Sequence, residues 1–126
     1  MLEIALNDPQ KGVFQKDISK NQEISNKYLD HIIYALKTSQ LIANLKGKKS
    51  GYVLTRKPSE ITIFDIHCAF EPGICIIECL SINYKCSRSE GCQIKGFWGG
   101  LNNLIIDYFK SITLQDILEN KINIEI

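Results

Sequence analysis

Between Ser25 and Lys37 the apolar positions Leu29, Ile32, Ile33 and Leu36 recur every three or four residues. At about 100° per residue they gather on one side of a helix, while Lys27, Asp30, His31 and Tyr34 gather on the other. The first set predicts a core stripe; the second is polar and can pair with base edges or phosphates. Ser25 stands where its hydroxyl can N-cap that helix by accepting a hydrogen bond from an orphan backbone N–H. Upstream, Gln15–Lys20 predicts a short helix and Gln22–Ser25 a tight turn. Short helix, turn and longer helix form a helix-turn-helix, a unit whose second helix fits the major groove of DNA. Downstream, Leu41–Lys46 and Tyr52–Thr55 have strand character and flank a turn, Gly47–Gly51, with lysines at its tip, which predicts a β-hairpin wing. An ordinary helix pair beside a surface hairpin has the same pattern.

The remaining elements follow from the same periodicities. Met1–Asn7 is apolar and helical, lacks an N-cap, and is ended by Asp8–Pro9, so it reads as the end of a longer helix. Thr62 to Asp65 has capping-box spacing and opens a helix running to about Glu71, where Pro72–Gly73 stops it. On that helix His67 is expected at the surface and Cys68 packed inward, with no catalytic pairing, because adjacent helical residues point apart. Ile74–Ile82 is apolar and Asn83–Gly91 polar. From Cys92 to Lys110 a long helix is expected. Ile94, Trp98, Leu101, Ile105 and Tyr108 form its apolar stripe, widened by Phe97, Leu104 and Phe109. So broad an apolar face on a small chain implies a partner helix, here that of a second copy in a two-fold dimer. Thr113 to Asp116 repeats the capping-box spacing and starts a helix through about Asn120. Lys121–Ile126 alternates like an edge strand or a frayed tail. The fold class is therefore mostly α with a small β-hairpin: a winged helix-turn-helix plus a long C-terminal dimerisation helix. The expected organisation is a DNA-binding unit over 1–71, a cysteine-bearing loop over 72–91, and the dimerisation and last helices over 92–126.

Charge separates the two readings of the helix pair. From Lys11 to Lys57 ten Lys and Arg stand against Asp17, Glu23 and Asp30, a net of +7. The remainder carries five basic and eleven acidic residues, a net of −6, so the overall +1 conceals a strongly split chain. A basic half that coincides with a helix-turn-helix and wing is the electrostatic footprint of a double-stranded DNA binder. The 44% apolar content is ordinary for a globular protein. No run reaches membrane-spanning length and no signal peptide is recognisable, which points to a cytoplasmic protein. The five cysteines are an odd number in such a chain and favour free thiols or metal ligation over disulfides. An enzyme would need a nucleophile, a base and oxyanion donors, and no such set is readable: there is no phosphate loop, and His31 and His67 are the only histidines.

Cys79, Cys86 and Cys92 follow the pattern C-x(6)-C-x(5)-C. Placed in a loop and at the mouth of the long helix, thiolates could converge on one inorganic centre. Zinc sites usually use tighter paired spacings, and iron–sulfur clusters usually take four ligands. Spacing alone leaves metal ligation and three unligated cysteines both open.

Asp17–Ser19, Ile24–Asp30, Leu36–Leu41, Lys46–Leu54, Ile61–Ala69 with Glu71, the three cysteines before Phe97–Trp98, and Ile112–Leu118 together resemble the IscR/NsrR/CymR family of winged-helix transcription regulators. The resemblance covers nearly the whole chain. It implies homodimers that bind palindromic promoter DNA and sense redox state, nitric oxide or iron–sulfur status. It implies a 2Fe–2S or 4Fe–4S cluster on Cys79, Cys86 and Cys92. It also implies DNA contacts from Ser25, Lys27, Tyr28 and Asp30 on the recognition helix and from Lys46 in the wing, where Lys48 and Lys49 add charge and Gly51 and Tyr52 complete the turn. Three departures stand out. Lys95 occupies the place of a histidine that some members offer as fourth ligand, and an ammonium cannot ligate iron. Ser50 replaces the first glycine of the usual wing pair. The basic and aromatic residues that precede Met1 in the family are not in this sequence. A cluster-free regulator controlled by a protein partner or by thiol oxidation is the alternative.

Overall fold

The computed structural model describes residues 1–46 and 51–122. In chain order it contains α1 (Leu2–Leu6), α2 (Gln15–Gln22), α3 (Asn26–Thr38), β1 (Ile42–Asn44), β2 (Tyr52–Leu54), α4 (Ile63–Cys68), α5 (Lys95–Ser111) and α6 (Leu114–Leu118). The expected winged helix-turn-helix is present, with boundaries shifted by a residue or two at most elements. The exceptions are α4, which stops three residues before Glu71, and α5, which begins three residues after Cys92.

Local chemistry places the turns. Glu23, at φ 54°, is the left-handed residue that ends α2, and its backbone N–H donates to the Ser19 carbonyl. The Ser19 hydroxyl adds a bond to the Ile24 carbonyl at 2.5 Å. Ser25 then caps α3: its Oγ accepts from the Tyr28 backbone N–H at 3.2 Å. Thr62 and Thr113 open α4 and α6 with full capping boxes, each closed by the aspartate three residues on. In the second box, hydrogen bonds from Thr113 hold the Asp116 carboxyl below its ordinary range. That cap therefore contributes stability above the ordinary carboxylate range and loses it as pH falls through the lowered value.

Leu29, Ile33 and Leu36 of α3 are buried with Ile4, Val13, Ile18, Leu41, Ile42, Ile61 and Leu114, so every helix of the basic half and the start of α6 share one core. Ile32 is half-buried at its margin. The hairpin pairs Ile42 with Leu54, Ala43 with Val53 and Asn44 with Tyr52 in antiparallel register. Val13 extends it by exchanging two backbone bonds with Tyr52, at 2.8 and 2.9 Å. A further bridge joins Thr62 to Thr113, where the Leu114 N–H donates to the Ile61 carbonyl at 2.8 Å and the Ile63 N–H to the Ile112 carbonyl at 2.9 Å.

The expectation for His67 and Cys68 is reversed. His67 is half-buried: its Nε2 lies 2.8 Å from the Gly73 carbonyl, and its ring meets Phe109 of α5 edge-on at 5.7 Å. Cys68 is exposed. Because α4 packs against α5, the flank of α4 bearing His67 is the covered one. The long helix also leaves Cys92 outside its first turn. Gly91 adopts φ +82°, and Ile94, at the N-cap position, supplies no side-chain cap.

Where the hairpin meets the segment before α2, two glycine backbones touch. Gly12 sits at φ +67°, and a Cβ built on Gly51 would lie 2.4 Å from the Val13 nitrogen and 2.7 Å from the Gly12 carbonyl carbon. Both are backbone atoms that cannot yield cheaply. Gly51→Ala should therefore cost about 2 kcal/mol, in the range of overpacked interiors, and lower the thermal unfolding midpoint measured by circular dichroism. An unchanged midpoint would show that this contact is not tight.

Candidate functional site

On α3 the polar and apolar faces separate as the periodicity requires. Lys27, Tyr28, Asp30, His31 and Tyr34 are exposed, Tyr28 to 62% and Tyr34 to 74%, while Leu29, Ile33 and Leu36 point into the core. An apolar core on one side and free aromatic, cationic and anionic side chains on the other give this helix a face suited to reading a groove. Ser25, also exposed, lies at its N-terminus, where unpaired backbone N–H groups favour a phosphate.

Gln15, expected only as the first residue of the short helix, braces this face. From the first turn of α2 its Nε2 donates to Asp30 Oδ1 at 2.5 Å and to the Asn26 carbonyl at 3.4 Å. It ties the two helices together on their exposed side and leaves the second oxygen of Asp30 to accept elsewhere. At the other end of α3, Lys37 Nζ stands 5.8 Å from the centre of the Tyr52 ring, so the recognition helix leans on the hairpin through a cation–π contact.

At the hairpin, the Leu45 N–H donates to the Gly51 carbonyl at 3.0 Å, and Lys46 is exposed. Gly51 is buried and Tyr52 half-buried, so both serve the hairpin's seat on Val13 rather than offering free side chains. Lys48 and Lys49 lie outside the described residues.

The three cysteines at cluster spacing are half-buried thiols, whereas Cys68 and Cys75 are exposed. Cys79 and Cys86 line one cavity of about 620 Å³ with Tyr84, Lys85, Glu90 and Lys95; Cys92 is not part of its lining. Among the described residues no three His, Cys, Asp or Glu side chains come together as a metal-ligand set. As folded, the thiols do not fit a cluster without movement of the loop. Lys95, at the opening of α5, donates from Nζ to Ser89 Oγ at 2.7 Å and holds the loop rather than a metal.

The apolar stripe of α5 divides in two. Ile94 (54%), Phe97 (60%), Leu104 (67%) and Tyr108 (57%) are exposed, and Leu101 is half-buried between them. Trp98 and Ile105 are half-buried, and Phe97 meets Trp98 edge-on at 5.2 Å. Asn102, the buried polar residue of this helix, also escaped the sequence reading. Its signal was an amide among apolar positions, one turn beyond Trp98. No helix among the described residues is long and apolar enough to cross a membrane.

A capped recognition helix braced by its neighbour and seated on an antiparallel hairpin defines a winged helix-turn-helix protein. The chain belongs to the Rrf2 family, described as an iron-dependent transcriptional regulator, whose sequence pattern matches residues 1–120. It is 34% identical over 123 residues to a Neisseria meningitidis serogroup A protein named as a helix-turn-helix-type transcriptional regulator, covering 98% of this chain and 82% of that one. Among solved structures, CymR, the global cysteine regulator of B. subtilis, superposes with a TM-score of 0.77 at 23% identity, over 94% of this chain and 87% of that one. T. potens IscR superposes with a TM-score of 0.72 at 26% identity, over 96% and 79%. These relatives are regulators of transcription, not enzymes.

Capping predicts the cost of disturbing the site. Ser25→Ala should lower stability by about 1 kcal/mol, read as a reduced urea midpoint with an unchanged slope. No shift in the midpoint would mean that the Tyr28 N–H finds another acceptor.

Proposed function

We propose that the chain acts as a homodimer that binds a palindromic double-stranded promoter site and regulates transcription in the cytoplasm. The observation that carries this reading is the division of α3: Lys27, Tyr28 and Asp30 are exposed beside Ser25 while the opposite face holds the core. In this reading α3 enters the major groove. Ser25 and Lys27 meet phosphates or base edges, Tyr28 contacts the backbone, and the free oxygen of Asp30 accepts from a cytosine amine. Lys46, Lys48 and Lys49 of the wing neutralise phosphates alongside. Ile94, Leu101 and Tyr108, with Phe97 and Leu104, recur in the a/d rhythm of a helix pair, and Trp98 and Ile105 line its inner margin. Two α5 helices joined on that seam would present two reading heads to one palindrome.

Cys79, Cys86 and Cys92 are the sensing groups of this proposal. The family's description as iron-dependent supports ligation of a 2Fe–2S or 4Fe–4S cluster. The separation of the three thiols supports a second reading, in which a protein partner or thiol oxidation controls the loop without a cluster. Anaerobic purification with iron and sulfide analysis decides between them. Stoichiometric iron and visible charge-transfer absorption support the cluster; a colourless preparation that cannot be reconstituted supports the second reading.

The DNA surface has its own test. Lys27→Glu with Lys46→Glu should abolish promoter retention in a gel shift. Lys46→Ala alone should weaken binding across sequences and reduce the salt slope by about 1. Undiminished retention by the double variant would remove α3 and the wing as the binding surface.

A further inference from the structure

The segment that leads into the cysteine loop is held by side chains from two helices. Asn102 of α5, only 8% exposed, accepts from the Ile76 backbone N–H through Oδ1 and donates through Nδ2 to the Ile74 carbonyl, both at 3.0 Å. Its amide thus pairs with alternate residues of the segment as a neighbouring strand would, which uses both polar ends of a side chain that burial would otherwise penalise. One residue earlier, His67 of α4 contacts the Gly73 carbonyl, where Gly73 turns at φ +135°. From there the loop runs back toward the start of α5. A methyl placed on Gly99 would lie 3.9 Å from Leu80 Cδ2, and Lys95 meets Ser89. The attachment points therefore follow the order 102, 99, 95 on the helix and 76, 80, 89 on the loop.

These attachments differ in kind. The Asn102 pair is double and largely shielded from water, whereas the Lys95–Ser89 bond is single and exposed. A buried amide bonded at both its oxygen and its nitrogen resists opening; an exposed bond to a flexible ammonium exchanges readily with water. Cys79, Cys86 and Cys92 all lie beyond the strong attachment, on the part of the loop that the weak one secures.

We propose that Asn102 is the positioning residue of the sensor loop: it fixes residues 74–76 to α5 as a stationary hinge, about which residues 77–94 move when the cysteines change state. This rests on the reading of the cysteines as sensing groups. Cysteine movement is thereby delivered to the N-terminal half of α5, the half bearing Ile94 and Phe97, while the end nearest α6 stays in place. Asn102 ligates nothing in this scheme and acts only through the backbone it holds.

Native-state hydrogen exchange on the full-length protein, with residue-resolved thiol alkylation, tests this. In the wild type the Ile76 amide should exchange at least about tenfold more slowly than the amides of residues 83–91. Asn102→Leu, branched at the same carbon but unable to pair, should erase that difference and speed alkylation of Cys75 and Cys79. Cys68 labelling and the exchange of α3 should stay unchanged. Wild-type Ile76 exchanging as fast as residues 83–91 would overturn the proposal, and that measurement does not depend on the variant folding. A rise at all five cysteines together, or none, would likewise overturn it. A wild type that fails to retain promoter DNA would instead sink the regulatory reading and leave the exchange pattern untouched.

Discussion

One helix has to satisfy two environments at once. α3 must bury Leu29, Ile33 and Leu36 deeply enough to anchor the core while keeping Lys27, Tyr28, Asp30 and Tyr34 exposed on the opposite face, Asp30 with one oxygen held by Gln15. Thirteen residues give the helix enough turns for both faces, and the Ser25 cap fixes where they begin. A shift of one residue in that cap would rotate every side chain by about 100° and mix the faces. The rest of the basic half follows from this phase: α2 crosses behind, Gln15 reaches over to Asp30, and the hairpin rises against Lys37.

Where one residue type and one spacing decided the outcome, the fold was legible in the sequence. The Ser25 cap, the Thr62 and Thr113 boxes and the α3 stripe depend on interactions within about one turn, and each was found where the spacing placed it. Misplacement arose where distant contacts ruled. Position alone could not say which flank of α4 would be covered, so His67 was expected outside and Cys68 inside until α5 packed on the His67 side. Gln15 and Asn102 are polar residues whose importance lies in partners at least 11 and 26 positions away, respectively. The start of α5 was set too early because Gly91 permits a turn that the apolar periodicity of the helix does not register.

The cysteine loop shows a different limit. Its composition suggested a convergent centre, yet its path is dictated by α5, on which Asn102, Gly99 and Lys95 receive it in succession. Held at these stations, the loop brings Cys79 and Cys86 to one cavity and leaves Cys92 outside its lining. Ligand spacing in a sequence records which atoms can meet; the template beneath them records whether they already have.

The strand-like exchange between Thr62 and Thr113 has a mechanical consequence. Because Leu114, just past α5, is 1% exposed inside the core built by α3, the long helix is welded to the helix-turn-helix unit by its far end. A rod fixed at one end and levered at the other converts a small displacement at its free tip into a tilt of whatever it is welded to. Any tilt of α5 relative to the helix-turn-helix unit would then be set by an angle at a seam of two threonines, remote from the thiols.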